Sequence, residues 1–241
     1  METGRIDVHS HLLPGLDDGC ADAAESLACA KALVAEGYTH AFCTPHVWRS
    51  LSNNPLSIAA AVANLQAHLD SENIALKLMP GGEINLLEAW PQIAELQDEQ
   101  IVTYGMAGKY LLFDFWADTW AECREDLEAA IGNLVSRGLK PIMGHPERIA
   151  AMREPGAIER VRELGALLQL NSYCLSERVD KPLYEAASRW LTEDKYFLIG
   201  SDTHKPAGMG YRSRGLKKAG EIGGEKMMEK LTVLNPRLLM E

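Results

Sequence analysis

The chain alternates short apolar runs with longer segments of helical periodicity along most of its length. The runs are predicted strands and cover residues 5–8, 39–43, 75–79, 110–113, 140–143, 166–170 and 196–200. The predicted helices cover residues 22–36, 55–71, 86–96, 120–137, 155–164 and 181–191. Strands that alternate with helices are typical of parallel sheets, and seven such units within 241 residues favour a barrel over an open sheet. The sequence therefore predicts one α/β domain over residues 1–241, with barrel closure left open.

Two further signals concern where helices end. Gly37 and Gly138 each stand just before a predicted strand, where a helix C-cap is expected. The last segment, residues 220–241, reads as one or two surface helices that end at Asn235-Pro236.

Side chains that bind metals stand at or beside the ends of these apolar runs. They are His9, His11, Asp18, His46, Glu83, Asp114, His145, Asp202 and His204. Imidazole nitrogens and carboxylate oxygens are the usual ligands of divalent cations, and a barrel keeps its active site at the carboxyl ends of its strands. The recurrence of such residues at strand ends predicts a metal-dependent hydrolase.

Each of these positions also has a plainer explanation when taken alone. His9 and His11 would point to opposite faces of a regular strand, and both could be surface residues. Asp17 and Asp18 could form a turn or cap the first helix, and Asp202 could form an Asx turn. Asp114 could pair with Lys109 or Arg124, and His46 and His145 could be structural. The joint pattern favours a metal site, although it does not decide between Asp17 and Asp18.

The number of candidate ligands exceeds what one ion needs. Four carboxylates and five histidines stand against the roughly four ligands of a zinc site. Two or three divalent ions fit better, and ligation without thiolate suits manganese, zinc or iron(II). Such a cluster can hold a hydroxide at neutral pH and clamp a phosphoryl group. Arg148, Arg212 and Arg214 are candidates for binding phosphate oxygens, with one of the last two expected to be a surface residue.

Composition excludes several other classes. The net charge is −10, which disfavours binding to nucleic acid and therefore nuclease activity. Five cysteines without paired spacing fit reduced thiols. No apolar stretch approaches the length of a membrane span, so the protein is predicted to be cytoplasmic.

Residues 43–49 match the Cys-x5-Arg pattern of cysteine-dependent tyrosine phosphatases. That chemistry needs a loop of backbone N–H donors around the phosphate, but Pro45 removes one donor and the segment has no glycine. Cys43 is therefore predicted to be the buried end of a strand.

Six sequence segments together resemble one known superfamily. They are residues 6–19 (IDVHSHLLPGLDDG), Thr44-Pro45-His46, Gly82-Glu83-Ile84, residues 112–115 (LFDF), residues 145–148 (HPER) and residues 201–204 (SDTH), in an order that spans nearly the whole chain. The chain resembles the polymerase-and-histidinol-phosphatase (PHP) superfamily. Within it, the chain is most similar to the bacterial manganese-dependent protein-tyrosine phosphatases of capsular and exopolysaccharide operons.

This resemblance implies a distorted (β/α)7 TIM-like barrel with three metal ions. By that likeness, His9, His11, Glu83 and Asp202 surround one ion, Glu83, Asp114 and His145 a second, and Asp18, His46 and His204 a third. Arg148 and an arginine after His204, either Arg212 or Arg214, would grip the phosphate. The implied substrate is phosphotyrosine on a tyrosine kinase that controls polysaccharide chain length.

The chain departs from the family's usual pattern at three places. Asp114 replaces a glutamate, Thr203 replaces an alanine, and residues 205–214 form a longer segment than expected. A small-molecule phosphatase of the histidinol-phosphate type is the alternative function. An amidohydrolase would need a bridging lysine at a strand end, and a catalytically silent metal-binding module would not need Arg148. Trp48, Trp90, Phe115 and Trp116 are predicted either to stack on an aromatic substrate or to pack in the core.

Overall fold

Parallel strands carry the residues of interest in the computed structural model, which describes residues 4–48, 51 and 53–241. Within those residues the strands are β1 (Arg5–Ser10), β2 (Tyr38–Cys43), β3 (His46–Val47), β4 (Lys77–Pro80), β5 (Glu83–Asn85), β6 (Tyr110–Asp114), β7 (Lys140–Gly144), β8 (Leu167–Asn171) and β9 (Leu198–Gly200). Every pairing between them is parallel. The predicted α/β class is confirmed, and each predicted run overlaps a strand.

The strands form two sheets, with the orders β1-β2-β4 and β3-β5-β6-β7-β8-β9. Only Thr44-Pro45 separates β2 from β3, and only Gly81-Gly82 separates β4 from β5. Proline has no N–H to donate, and glycine weakens a strand, so both strands break at these points. The prediction missed the short strands β3 and β5 for this reason.

The first and last strands meet at their carboxyl ends. The backbone N–H of Asp202 donates to the carbonyl of His9 at 2.7 Å, and that of His11 donates to Thr203 at 2.8 Å. An isolated parallel bridge joins Ser10 to Thr203. The beginning and the end of the chain therefore contribute to the same part of the molecule.

Helices follow most of the strands. They are α1 (Ala23–Ala35), α2 (Pro55–Ser71), α3 (Leu86–Ala89), α4 (Gln92–Glu95), α5 (Trp120–Ser136), α6 (Ala157–Glu163), α7 (Lys181–Thr192), α8 (Met209–Glu229) and α9 (Asn235–Arg237). Gly37 and Gly138 have φ of +84° and +81° just after α1 and α5, which confirms their predicted place at helix ends. The single helix predicted over residues 86–96 is wrong. It is divided at Trp90-Pro91, because proline disfavours a helical residue before it and removes a backbone donor.

The C-terminal prediction also needs correction. α8 begins at Met209 rather than at Gly220, and Asn235-Pro236 opens α9 instead of ending the helical region. Proline is tolerated in the first turn of a helix, where its missing N–H would have no partner. Leu231 and Leu239 are buried, so this segment also contributes to the core.

Side chains of each central strand divide between two apolar clusters. Leu112 and Ile142 belong to a cluster with Ile6, Val8 and other strand residues. The neighbouring Leu111 and Met143 belong to the larger cluster that includes the buried faces of the helices. This alternation fixes the strands rigidly and thereby the residues at their ends. Within the described residues, no helix combines the length and the apolar character needed to cross a bilayer.

Candidate metal centre

The predicted metal-binding side chains converge near the carboxyl ends of β1, β2, β4, β6, β7 and β9. His9 lies in β1, His46 and Glu83 begin β3 and β5, Asp114 ends β6, His145 follows β7, Asp202 and His204 follow β9, and His11 and Asp18 lie after β1. Most of them are buried, although Asp18 has 68% of its side chain exposed and His204 has 23%. Residues far apart in the chain thus share one site.

Their potential ligand atoms fall into three groups, each with all atoms within 4.8 Å of one another. The groups are His9, His11 and Glu83; Glu83, Asp114 and His145; and His11, Asp18, His46 and His204. Asp202 lies beside the first group, with Oδ1 3.4 Å from Nε2 of both His9 and His11. This division closely follows the one that the resemblance implied, with His11 shared between two groups.

Glu83 occupies the middle of the arrangement. Its Oε1 lies 2.8 Å from Nε2 of His145, and its Oε2 lies 2.9 Å from Nδ1 of His46 and 3.3 Å from Nε2 of His9. The side chain is fully buried. A carboxylate whose two oxygens face different imidazoles has the geometry of a bridge between two ions.

Several buried polar atoms at the site lack a hydrogen-bond partner among the described residues. They are Oδ1 of Asp114, Oε2 of Glu83, Nδ1 of His46 and Nδ1 of His145. Neither alternative partner of Asp114 is engaged with it, since Lys109 lies over the Tyr110 ring and Arg124 pairs with Glu128. Buried polar groups are almost always satisfied, so these atoms fit a site that coordinates cations.

The pKa shifts of two buried carboxyl groups also indicate a site for cations. Burial, followed by the negative charges of Glu83 and Asp202, raises the pKa of Asp114 well above its usual value. Burial alone would also raise the pKa of Glu83, but the charge on His9, the hydrogen bond from His145 and the nearby ring of His46 hold it well below its usual value. The protein's own groups therefore balance only part of the carboxylate charge, and bound cations would supply the rest.

Two further side chains orient the central imidazoles. Nδ1 of His11 lies 2.6 Å from Oδ2 of Asp17, and Nδ1 of His9 lies 2.8 Å from Oε1 of Gln169. Both oxygens accept, so each Nδ1 donates, and Nε2 is the nitrogen of each ring that would lose its proton to bind a cation. The two Nε2 atoms lie 3.2 Å apart beside Glu83, which is the orientation that metal ligation requires.

The two adjacent aspartates have different surroundings. Asp17 also accepts from the backbone N–H groups of Gly19 and His46, both at 2.9 Å. Burial would raise the pKa of Asp17, but the hydrogen bond and charge of His11 lower it to about 2. Oδ1 of Asp18 instead lies 3.3 Å from Nε2 of His46 and 3.4 Å from Nε2 of His204. The geometry thus places Asp18, rather than Asp17, among the potential ligands.

Backbone geometry at the site is unusual in two ways. His145 and Asp202 have φ of +35° and +52°, in the left-handed region that residues with a Cβ rarely adopt. A Cβ on Gly200 would lie 2.7 Å from Cβ of His9 and 2.8 Å from Nε2 of Gln169, so only glycine fits beside them. Gly82 serves packing instead, since its Cβ would meet Val102 at 2.6 Å.

A cleft of about 590 Å³ opens over the metal-binding groups. Arg148 lines it, donates to Oδ2 of Asp202 at 3.0 Å and lies 5.5 Å from the Trp116 ring. Arg212 also lines it and donates to the carbonyl oxygens of Ser201, at 2.8 Å, and Asp202. Arg214 points away and pairs with Glu177 at 2.7 Å. The geometry therefore places Arg212, and not Arg214, at the cleft.

The aromatic candidates divide between cleft and core. Trp48 and Trp116 line the cleft, whereas Phe115 is fully buried and Trp90 packs against the core. Tyr173, Tyr211 and Arg178 also line the cleft, and no sequence pattern had indicated them.

Sequence reasoning also missed Gln169 and Asn171 of β8. Asn171 donates through Nδ2 to Oδ2 of Asp202 at 2.7 Å, so both residues hold side chains of the site. The signal that could have found them was the pair of amides inside the otherwise apolar run Leu167-Leu168-Gln169-Leu170-Asn171, where a polar side chain must find a buried partner.

The cysteine motif does not form a reactive site. Cys43 ends β2, is fully buried, and has its pKa raised by burial and by the nearby charge of Asp7. Arg49 lies outside the described residues. All five cysteines are free and buried, and none of them lines the cleft.

Comparison with known proteins decides the family. Residues 5–241 match the family described as capsular polysaccharide synthesis, CpsB/CapC. The chain belongs to the CpsB/CapC family. Among its relatives is the tyrosine-protein phosphatase YwqE of Bacillus subtilis, which is 31% identical over 201 residues, or 83% of this chain and 77% of YwqE.

Solved structures support the placement of this CpsB/CapC member. One chain comes from crystal structures of YwqE from Bacillus subtilis and CpsB from Streptococcus pneumoniae, described as unique metal-dependent tyrosine phosphatases. It superposes with a TM-score of 0.85 at 27% identity, covering 98% of this chain and 94% of that one. Histidinol phosphate phosphatase of Lactococcus lactis superposes with a TM-score of 0.53 at 14% identity, covering 90% of this chain and 94% of its own. That second likeness concerns the fold alone.

Proposed function

We propose that this CpsB/CapC protein is a metal-dependent phosphomonoesterase that removes phosphate from phosphotyrosine on a protein. The observation that carries the proposal is a set of three potential ligand groups, joined through Glu83 and His11, under a cleft lined by Arg148 and Arg212. The relatives named tyrosine phosphatases favour phosphotyrosine over a small phosphate ester. The protein substrate we infer is a tyrosine kinase that regulates capsular or exopolysaccharide synthesis.

We infer that the site holds two or three divalent cations, with manganese the first choice and iron or zinc as alternatives. The residues that would hold them are His9, His11, Asp18, His46, Glu83, Asp114, His145, Asp202 and His204. When bound, the cations supply an activated water at neutral pH and positive charge toward the phosphoryl oxygens. The shorter Asp114, in place of the family's glutamate, would hold its ion at a different distance.

The chain's own residues bind and orient the ester. Arg148 has a guanidinium at the cleft, held by the Oδ2 of Asp202, and can present further N–H groups to phosphate oxygens. Arg212 is fixed by carbonyl oxygens of the loop after β9, which sets the direction of its fork. Donors held in place before the reaction stabilise the charge that develops on the phosphoryl group without having to reorganise.

The architecture we infer is the distorted (β/α)7 TIM-like barrel. The bridge between Ser10 and Thr203 supports closure between the first and last strands, while the breaks at Pro45 and Gly81-Gly82 account for the distortion. A barrel of this kind brings all strand ends to one face, where the cleft lies.

The test is hydrolysis of p-nitrophenyl phosphate and of a phosphotyrosine peptide by chelator-stripped protein, with and without manganese. We expect manganese-dependent turnover of both substrates. Turnover of the small ester alone would favour a small-molecule phosphatase, and the absence of turnover with manganese, iron or zinc would contradict the proposal.

A further inference from the structure

A second groove, of about 600 Å³, lies beside the cleft between the start of α7 and the middle of α8. Leu175, Val179 and Tyr184 contribute apolar surface to it. Its polar lining comes mainly from Lys181, Arg214, Lys217 and Lys218. We call this feature the basic groove.

The charge of the basic groove is opposite to that of the whole protein. Its four cationic side chains face two acids, Glu177 and Glu221, in a molecule with a net charge of −10. The acids pair with Arg214 at 2.7 Å and Lys218 at 2.9 Å, Lys181 lies 3.6 Å from Glu185 one turn along α7, and each of these side chains is at least 41% exposed. Exposed ion pairs contribute little to stability, so these cations can exchange partners when an anionic ligand arrives.

The basic groove adjoins the cleft at Tyr211. Tyr211 and Arg178 line the cleft, and Nη1 of Arg178 donates to Oη of Tyr211 at 3.2 Å. Arg178 and Arg214 also approach the Tyr211 ring, at 4.8 Å and 4.5 Å from its centre. A single aromatic side chain and its two arginines therefore form the boundary between the two depressions.

The distance between the cleft and the basic groove suits an extended peptide. Arg212 at the cleft and Lys218 in the basic groove are six residues apart on α8, which corresponds to about 9 Å along a helix axis. An extended peptide covers that distance in about three residues. A chain whose phosphotyrosine occupies the cleft can thus reach the basic groove with the residues that flank it.

We propose that the basic groove binds acidic residues of the substrate about three positions from the phosphotyrosine. This inference rests on the proposed function and specifies its substrate: a phosphotyrosine within an acidic peptide segment. Charge complementarity and the position of the groove beside the cleft select this occupant, because a neutral or basic segment would gain nothing from Lys217 and Lys218.

The test compares two variants with the same change in charge. Lys217→Ala with Lys218→Ala removes charge from the basic groove, and Lys77→Ala with Lys226→Ala removes it elsewhere on the surface. The substrates are p-nitrophenyl phosphate and two phosphotyrosine peptides that carry glutamate or glutamine three positions on either side of the phosphotyrosine. Circular dichroism checks that both variants fold.

We expect the native protein to prefer the glutamate peptide. The groove variant should lose about three- to tenfold in kcat/KM on that peptide alone, while the surface variant should keep the preference. About 0.5 M salt should weaken the preference by screening. Equal kcat/KM for both peptides in the native protein, or an equal loss on p-nitrophenyl phosphate, would overturn the assignment.

Binding separates this inference from the proposed function. If no phosphate ester is hydrolysed with any metal, the proposed function fails, and the groove is judged by fluorescence anisotropy of a labelled, unphosphorylated glutamate peptide. Binding that the groove variant loses supports the groove, and no binding overturns it. Concentration-dependent self-association that the groove variant abolishes would assign the surface to a second copy of the chain instead.

Discussion

Arg148 connects the cleft to Asp202, one of the potential metal ligands. Its guanidinium donates to Asp202 while 36% of the side chain remains exposed to the cleft. Removing the Arg148 side chain should leave the potential metal ligands in place, because Asp202 keeps its hydrogen bond from Asn171.

We therefore expect Arg148→Ala to retain bound metal but to lose kcat by about 100- to 1000-fold, as for the loss of a donor to the transition state. Elemental analysis and p-nitrophenyl phosphate kinetics measure the two effects separately. Arg148→Lys serves as the control and should recover only part of the rate, since it keeps the charge and loses the fork. Full activity in Arg148→Ala would refute the assigned role.

Replacing Cys43, unlike replacing Arg148, should leave activity almost unchanged. Its thiol is fully buried at the end of β2, and its raised pKa disfavours the thiolate that nucleophilic attack needs. Cys43→Ser should keep its rate of phosphotyrosine hydrolysis within about twofold, because the thiol is buried and does not line the cleft. An inactive but folded Cys43→Ser would show that the cysteine motif is catalytic after all.

At the scale of the element, β8 shows how a strand can support a site without providing a ligand. Gln169 fixes the ring of His9, and its position inside an apolar strand prevents it from turning toward solvent. Partners of this kind set the tautomer of a metal-binding imidazole.

Gln169→Leu should fold, because leucine has a similar size and suits the apolar strand, but it should weaken metal affinity by about 10- to 100-fold. Calorimetric titration of stripped protein with manganese measures the change. Gln169→Glu retains an acceptor for Nδ1 of His9 and should bind metal better than the leucine variant. Equal affinity of Gln169→Leu and the native protein would show that the ring is held by packing alone.

The sequence predicted helices and strands well where local periodicity determines them, and poorly where tertiary contacts determine them. The positions of strand ends were sufficient to predict that the nine potential ligands lie near one another. The breaks before β3 and β5 fall at Pro45 and Gly81-Gly82, but the pairing of each short strand with a new neighbour is a tertiary contact that periodicity does not contain. The choice between Asp17 and Asp18 depended likewise on the position of His46, which lies in another strand.

The C-terminal helix shows the same limit. Glycine lowers helix propensity, yet α8 runs through Gly210 and Gly215, and Gly215 packs against the backbone of Ser172, where a Cβ would clash. The same helix carries Tyr211 and Arg212, which line the cleft. A local cost in helix propensity was therefore outweighed by packing.

For the whole molecule, we expect stability to depend on metal. Buried carboxylates and imidazoles without partners destabilise the folded chain, and ligands that bind only the folded state stabilise it. Manganese at a hundred times its dissociation constant should stabilise the stripped protein by about 2.7 kcal/mol and raise its unfolding temperature by about 5–10 °C. Differential scanning calorimetry measures the shift, with magnesium as the comparison ion. No shift with manganese, zinc or iron would contradict a metal centre.

The contact between the first strand, β1, and the segment that follows the last strand, β9, has a consequence for translation of the protein. Ser201 donates to the buried Asp7 across 194 positions of sequence, and the neighbouring His9 and Asp202 are joined by a backbone hydrogen bond. A growing chain on the ribosome has made most of its helices before this contact can form, and contacts of such separation form slowly. A product released before β9 lacks Asp202, His204 and Arg212 together. Shortened translation products are therefore expected to be inactive rather than partly active.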